Sequence, residues 1–503
     1  MKGTAWIGFA TMCIGMFMAI LDVQVVATSL PDIQGALEMA PDQMSWVQTA
    51  YLIAEVIAIP LTGLLMRSLS LRWLFVGALG LFTVASTGCA ASGGFVSLIS
   101  WRVLQGLAGG TLIPSVFAAV FLLFPPARQG LATMLAGVLA VLAPTIGPIV
   151  GGWITETFSW HWLFLINLAP GVLASIVAVW CLPRQAGRLE LLRRLDLPSL
   201  ACLAIGLASF ELTLKQAPDH GWNSPRIASL AALSVISLAI FARRSLRAPL
   251  PIVDLAHFSE RNFAVGCLLS FILGIGLFGS VYLMPVFLAF VRGHDALEIG
   301  TIMLVTGVAQ LLIAPLAVWL EQRVSAPWLS AGGFALFATG LALSTSQTPA
   351  TDAEGMAIPQ VIRGLAIMFC LLPPTRLALG GLPPHRIADA SALFNLMRTL
   401  GGAIGIALID TIIYGRSAGL ADGIMMRLKD GDTDTAQFIG LTLELFATRQ
   451  PGPPDAETLA FLHPLVEKAA LTQAIDEAWL VMAVITLAAL LIVPFARAIR
   501  PCQ

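Results

Sequence analysis

Charge is scarce in this chain: Asp, Glu, Lys and Arg make up 11% of its 503 residues, against 57% hydrophobic residues. A soluble domain carries about 25% charged residues, so most of this surface faces something other than water. Strand-length alternation is missing too, which disfavours a β-barrel. The seven cysteines (Cys13, Cys89, Cys181, Cys202, Cys267, Cys370 and Cys502) form no CxxC pair, and the six histidines show no HExxH spacing, so the sequence offers no metal site and its thiols read as small packing residues. There is no Walker sequence to drive the chain with ATP, and no nucleophile–base pair; neither an enzyme nor a cofactor is expected. Lys and Arg are scattered at span ends, and the formal net charge is −1, which gives nucleic acid nothing to hold. What the chain does have is apolar runs longer than 18 residues, many times over, each able to cross a hydrocarbon core of roughly 30 Å as a helix.

Read between turn signals, the runs predict an all-α membrane protein with fourteen spans: 6–30, 44–66, 73–92, 95–123, 131–153, 160–182, 197–216, 226–242, 263–290, 298–320, 327–345, 359–381, 388–414 and 476–496. The opening run continues past Asp22 to Pro31, unlike a cleaved signal peptide. With the N-terminus cytoplasmic, the loops on that side hold Arg67, Arg72, Arg128, Arg184, Arg188, Arg193, Arg194, Arg243, Arg244, Arg247, Arg261, Arg323, Arg386, Arg497 and Arg500; the short loops opposite hold Arg226 and Arg292. This asymmetry follows the positive-inside rule and places both termini in the cytoplasm. The segment from Gly415 to Ala474 reads as a long external loop, either a short helical hairpin or an unstructured stretch divided by Pro451, Pro453 and Pro454.

One segment recurs at an offset of 258. Val103-Leu104-Gln105-Gly106-Leu107-Ala108 matches Val361-Ile362-Arg363-Gly364-Leu365-Ala366, Phe124-Pro125-Pro126-Ala127-Arg128 matches Leu382-Pro383-Pro384-His385-Arg386, and Gly147 falls on Gly405. Both copies share one orientation, as in transporters whose halves are related by an axis along the membrane normal. Spans four and twelve correspond, so two extra spans sit between two bundles of six. The expected divisions are an N-terminal bundle over 1–182, two linker helices with flanking loops over 183–262, and a C-terminal bundle over 263–503 that includes the external loop 415–474.

Leu21-Asp22-Val23-Gln24-Val25-Val26-Ala27 with Leu30-Pro31, then Arg102-Val103-Leu104-Gln105-Gly106, then Ala143-Pro144-Thr145-Ile146-Gly147-Pro148-Ile149-Val150-Gly151-Gly152, and the cluster Trp160-His161-Trp162 with Phe164 and Asn167 resemble the major facilitator superfamily, specifically its fourteen-span drug–proton antiporters of the EmrB/QacA type. Gly381-Leu382-Pro383-Pro384 and Asn395 with Arg398, Gly401 and Gly402 agree. One motif departs: after span two the family expects an acid where this chain has Arg67, so the usual gating salt bridge is absent or replaced. The resemblance implies export of hydrophobic or amphiphilic drugs across the bacterial inner membrane, driven by the proton gradient without a cofactor. It also implies a periplasmic adaptor protein and an outer-membrane channel as partners in a Gram-negative source. Export of one endogenous metabolite, lipid or siderophore fits the same motifs; a non-transporting membrane sensor fits them poorly.

A charge at mid-membrane costs about 2.5–3.5 kcal/mol even on insertion scales, so each buried one needs a reason. Asp22 lies roughly 13 Å below the external end of its span, and Arg102 about 10 Å inside span four, while Glu55 is central in span two. Asp22, Arg102 and Glu55 are the candidates for proton coupling, with a permanent Asp22–Arg102 salt bridge as the structural alternative. Glu55, Gln105, Asn395 and Arg398 are candidates for the substrate cavity. Gly147, Pro148, Gly151 and Gly152 form the conformational motif, since small residues let helices approach and proline bends them. Glu211, Lys215 and Asp410 read as snorkelling groups near span ends.

Overall fold

The computed structural model describes residues 2–39, 41–193, 195–249, 251–441 and 456–497. Pro451, Pro453, Pro454, Cys502, Arg194 and Arg500 lie outside the described residues. Within them every regular element is a helix, because a chain without water around it must satisfy each backbone N–H and C=O within its own segment. Among the described residues, twelve helices are long and apolar enough to cross a membrane. One of these, Trp46–Ala90, breaks at Ser70 (φ 75°, ψ 159°), a backbone region that only glycine enters without strain. With that break and the shorter apolar helix Ala326–Ala342, the count of fourteen is consistent with the structure.

We number these helices α1 (Lys2–Thr28), α2 (46–69), α3 (71–90), α4 (Phe95–Leu123), α5 (Pro126–Thr157), α6 (His161–Cys181), α7 (Leu197–His220), α8 (Pro225–Arg247), α9 (Arg261–Arg292), α10 (Ala296–Glu321), α11 (Ala326–Ala342), α12 (Ala353–Leu379), α13 (Pro384–Lys429) and α14 (Ala456–Ile492). The first half of the chain has a core in which Phe9, Met16, Phe75, Phe82, Phe117 and Val120 interlock, with a second cluster around Leu21, Val25, Leu98 and Phe164. The second half has another, around Phe287, Phe334, Phe337, Cys370 and Trp479. Lipid is as apolar as leucine, so close packing rather than exclusion from water holds such helices together. Gly106 and Gly110 show how: a Cβ at either would lie 2.3 Å from Tyr51 O or 2.4 Å from Glu55 O. Their i, i+4 spacing lets one stripe of α4 rest on the backbone of α2.

The halves meet where α5 packs on α10 and where α13 packs on α2 and α4. The helix α7 sits on the α2–α13 seam, touching both, while α8 leans mainly on α7. Val56, Ile59, Leu203, Leu207, Leu393 and Phe394 fill that seam. The segment expected as a long loop is mostly helical over its described parts: α13 runs on to Lys429 and α14 begins at Ala456. Ile424, Leu428, Ala436, Ile439, Val466, Ala469 and Ala470 close these extensions into a small separate core.

A polar clasp joins α9, α10 and α12 on the face opposite the N-terminus. Arg292 Nη2 donates to Asp352 Oδ2 at 2.9 Å, and the two nitrogens of His294 reach Glu298 Oε2 at 2.8 Å and Asp352 Oδ1 at 3.1 Å. The hydrogen bond from Arg292 holds the Asp352 carboxyl down at about 2, and the bond to Glu298, followed by that to Asp352, raises His294 above its ordinary value. A group raised on folding stabilises the fold below its unfolded pKa, about 6.5 for histidine, and loses that contribution as pH rises through the folded value. His294→Ala is therefore expected to lower the melting temperature at about pH 6 and to leave it nearly unchanged at about pH 9. An equal deficit at both pH values would refute a charged His294 in the clasp.

Candidate functional site

Arg102 and Gln105 stand one turn apart on α4 and so share a face. That face turns into the N-terminal half, where α1, α2, α3 and α6 converge on it. Arg102 Nη1 donates to Asp22 Oδ2 at 2.6 Å and to Gln105 Oε1 at 2.7 Å, and Arg102 Nε donates to the Val47 carbonyl at 2.9 Å. Asp22 Oδ1 accepts from Gln105 Nε2 at 2.9 Å and from Asn167 Nδ2 at 2.8 Å. Gln105 Nε2 also reaches Ser86 Oγ at 2.8 Å. The guanidinium lies 4.5 Å over the Tyr51 ring. Asp22 and Arg102 side chains are fully buried; three donors meet the Asp22 carboxylate, while Arg102 Nη2 has no hydrogen-bond partner among the described residues. Such a pair holds only while each member has its partner.

Gln105, expected on the cavity wall, is thus fully buried and belongs to the Asp22 shell. Glu55 is elsewhere on α2. It is buried, and among the described residues its carboxyl makes no hydrogen bond or ion pair. It lies within electrostatic reach of Glu211 on α7 as well as of Arg102 and Asp22. Lys215, one turn beyond Glu211, bonds to the Ser45 carbonyl and to Thr49, so this part of α7 reaches the start of α2. Asp410 accepts from Tyr282 at 2.7 Å. Both arrangements give these groups a protein partner or neighbour beyond snorkelling.

Asn395 and Arg398 occupy the face of α13 that meets the other half. Arg398 Nη2 donates to Asn395 Oδ1 at 2.6 Å, and its guanidinium lies 5.0 Å over Phe117 of α4. One turn before Asn395, Ser391 Oγ donates to the Pro114 carbonyl of α4 at 2.8 Å. On α5, a Cβ at Gly147 would come 2.3 Å from Gln24 Cβ on α1, so the glycine sets the α1–α5 approach. Pro144 and Pro148 leave the helix short of backbone donors beside it. Gly151 is buried and its carbonyl accepts from Thr155; Gly152 is partly buried.

Where the expected acid after α2 is missing, the structure holds an ion pair of the opposite sense. Arg67 Nη1 lies 2.9 Å from Asp389 Oδ2 of α13, with the Asp389 side chain 4% exposed. Arg386–Glu260 at 2.5 Å stands on the same end of the bundle. Sequence reading did not single out Asp389, Ser86 or Tyr51, and quoted Asn167 only within a motif. Each becomes polar chemistry only through a partner on another helix, and no local spacing announces that.

The family model of the Major Facilitator Superfamily matches residues 12–406. The chain belongs to that superfamily. Superfamily relatives carry the likeness into named exporters: the chain is 38% identical to the colistin resistance protein EmrB of Acinetobacter baumannii, over 81% of this chain and 80% of that one. It is 32% identical to the multidrug export protein EmrB of Escherichia coli K12, over 80% and 79%. Among solved structures, the proton:xylose symporter XylE aligns with a TM-score of 0.58 at 12% identity, covering 96% of this chain and 95% of that one, which establishes the shared superfamily fold. The chain is thus a multi-pass membrane protein, a drug exporter of the superfamily type by its relatives.

Proposed function

We propose that this protein is a proton-coupled antiporter that exports hydrophobic or amphiphilic drugs and toxic compounds across the bacterial inner membrane by alternating access. The observation that carries the reading is the Asp22–Arg102–Gln105–Asn167 network. A carboxylate held in a membrane interior by three donors has two stable arrangements: ionised against Arg102, or protonated and released from it. Switching between them changes how α1, α4 and α6 are held together, and α1 also packs on the Gly147 stretch of α5. One charge crossing 100 mV supplies about 2.3 kcal/mol, enough to bias such a switch. The names of the EmrB relatives support export of drugs as the task.

In this reading both termini face the cytoplasm, the halves 1–182 and 263–503 rock about the α5–α10 and α2–α13 contacts, and 183–262 is the two-helix linker. The substrate is held between the halves, with Glu55, Asn395 and Arg398 as its polar contacts and no cofactor. A periplasmic adaptor and an outer-membrane channel complete the route in a Gram-negative cell.

Glu55 is the natural contact for a cationic substrate, since a fixed carboxylate in a low-dielectric cavity attracts an organic cation far more than an amide can. Glu55→Gln is expected to reduce efflux of a cationic compound about tenfold while sparing a neutral one, in everted vesicles given a proton gradient. Loss of both would move Glu55 to proton coupling; retention of both would remove it from the site. Drug susceptibility of a hypersensitive host carrying the native gene tests export itself: no gain in resistance to any amphiphilic drug would contradict the assignment.

A further inference from the structure

The repeat offset of 258 holds where it is needed here, since the starts of α4 and α5 at Phe95 and Pro126 fall on the starts of α12 and α13 at Ala353 and Pro384, and the start of α1 at Lys2 falls one residue before that of α9 at Arg261. Applied to the Asp22 network, it puts Arg102 on Gln360 and Gln105 on Arg363, so the second half keeps one guanidinium and one amide with their places exchanged. Asp22, however, falls on Ser280, whose hydroxyl donates to Leu277 O. The second half has the cation of the network without its carboxylate.

The consequences are visible around Arg363. Its residue is 3% exposed, and its guanidinium lies 4.7 Å over the Trp479 ring of α14, with Nη2 at 3.9 Å from Met284 Sδ of α9. Among the described residues no carboxylate pairs with it. Glu321 goes to Arg376, Asp410 to Tyr282 and Asp476 to the Gln347 backbone. Among the described residues, three buried donors in this group have no partner: Arg363 Nε, Gln360 Nε2 and Trp479 Nε1. An arginine does not deprotonate in a protein. An unpaired charge at this depth is costly, and aromatic stacking returns only about 2 kcal/mol of it. Sulfur is a weak acceptor.

We propose that the C-terminal half binds one small monovalent anion between Arg363, Gln360 and Trp479, in the place that the Asp22 carboxylate fills in the N-terminal half. The site takes a single negative charge with acceptor character on all sides, for which chloride and bromide are suitable probes. The two halves then carry equivalent charge pairs, one whose anion is a side chain of the protein and one whose anion exchanges with solution.

Full-length protein in nanodiscs provides the test, without any transport measurement. Its melting temperature is expected to be higher in sodium chloride than in sodium gluconate of equal ionic strength, by about 2 °C once chloride is tenfold above its dissociation constant. Arg363→Met should erase the difference. Should that variant fail to fold, Gln360→Leu is expected to raise the half-saturating chloride concentration about tenfold, the loss of one hydrogen bond to a charge. Crystals grown in bromide should give an anomalous peak within hydrogen-bonding distance of Arg363. Equal melting temperatures in the two salts, an increment that survives in Arg363→Met, an unchanged half-saturating concentration in Gln360→Leu, or water in place of bromide would each overturn the proposal.

Discussion

Asp22→Asn is expected to abolish proton-driven export and also to destabilise the protein by about 3–5 kcal/mol. The amide preserves the shape of the carboxyl and can still accept a hydrogen bond from Gln105 or Asn167, but it neither titrates nor neutralises Arg102. The guanidinium would be left fully buried with only Gln105 Oε1 and the Val47 carbonyl as oxygen acceptors. From sequence alone, Asp22→Asn reads as a clean loss of a titrating group; the full burial of Arg102 adds the stability cost. Asp22→Asn/Arg102→Met removes both charges and should recover most of the melting temperature without recovering transport. Full stability in the single variant would mean that Arg102 finds another counter-charge, and retained pH-dependent efflux would take Asp22 out of the coupling.

Arg67→Glu should reduce transport at least tenfold. It sets two carboxylates against each other at the contact between α2 and α13, one of them the buried Asp389. Like charges at such a distance repel by about 4 kcal/mol at an effective dielectric constant of 20, enough to unbalance two conformations that differ by a few kcal/mol. Arg67→Glu/Asp389→Arg restores one charge of each sign and should restore transport to within about threefold. The swap separates a cross-half ion pair from a mere need for arginine at position 67. If the doubly exchanged protein is as impaired as Arg67→Glu, the pair is incidental to the cycle.

Most of the architecture was legible because a bilayer imposes it. Length and hydropathy locate each helix, and small residues and prolines mark where helices touch or bend. The Ser70 break, with Arg67 and Arg72 on either side, was readable as a loop from polarity alone. The continuation of α13 to Lys429 was not, since polar residues outside a membrane are as compatible with helix as with loop. At the site, Asp22 and Arg102 were found because a buried charge demands explanation. Their shell was not, because Ser86 and Asn167 are uncharged and lie 19 residues before and 62 after Gln105, a separation that only tertiary packing closes. Asp389 escaped for a related reason. It lies close to the end of α13, where an acid has an easy solvent explanation, and its burial depends on the opposite half.

The central claim, that protonation of Asp22 drives export, is tested most directly in proteoliposomes holding a fluorescent amphiphilic drug, with an imposed pH gradient and internal pH recorded together. Native protein should move the drug and protons in opposite directions, both fluxes stopping when the gradient is collapsed. Asp22→Asn/Arg102→Met, folded but unable to titrate, should move neither against a gradient. Gradient-driven drug flux through that double variant, or native drug flux with no accompanying proton movement, would contradict the account.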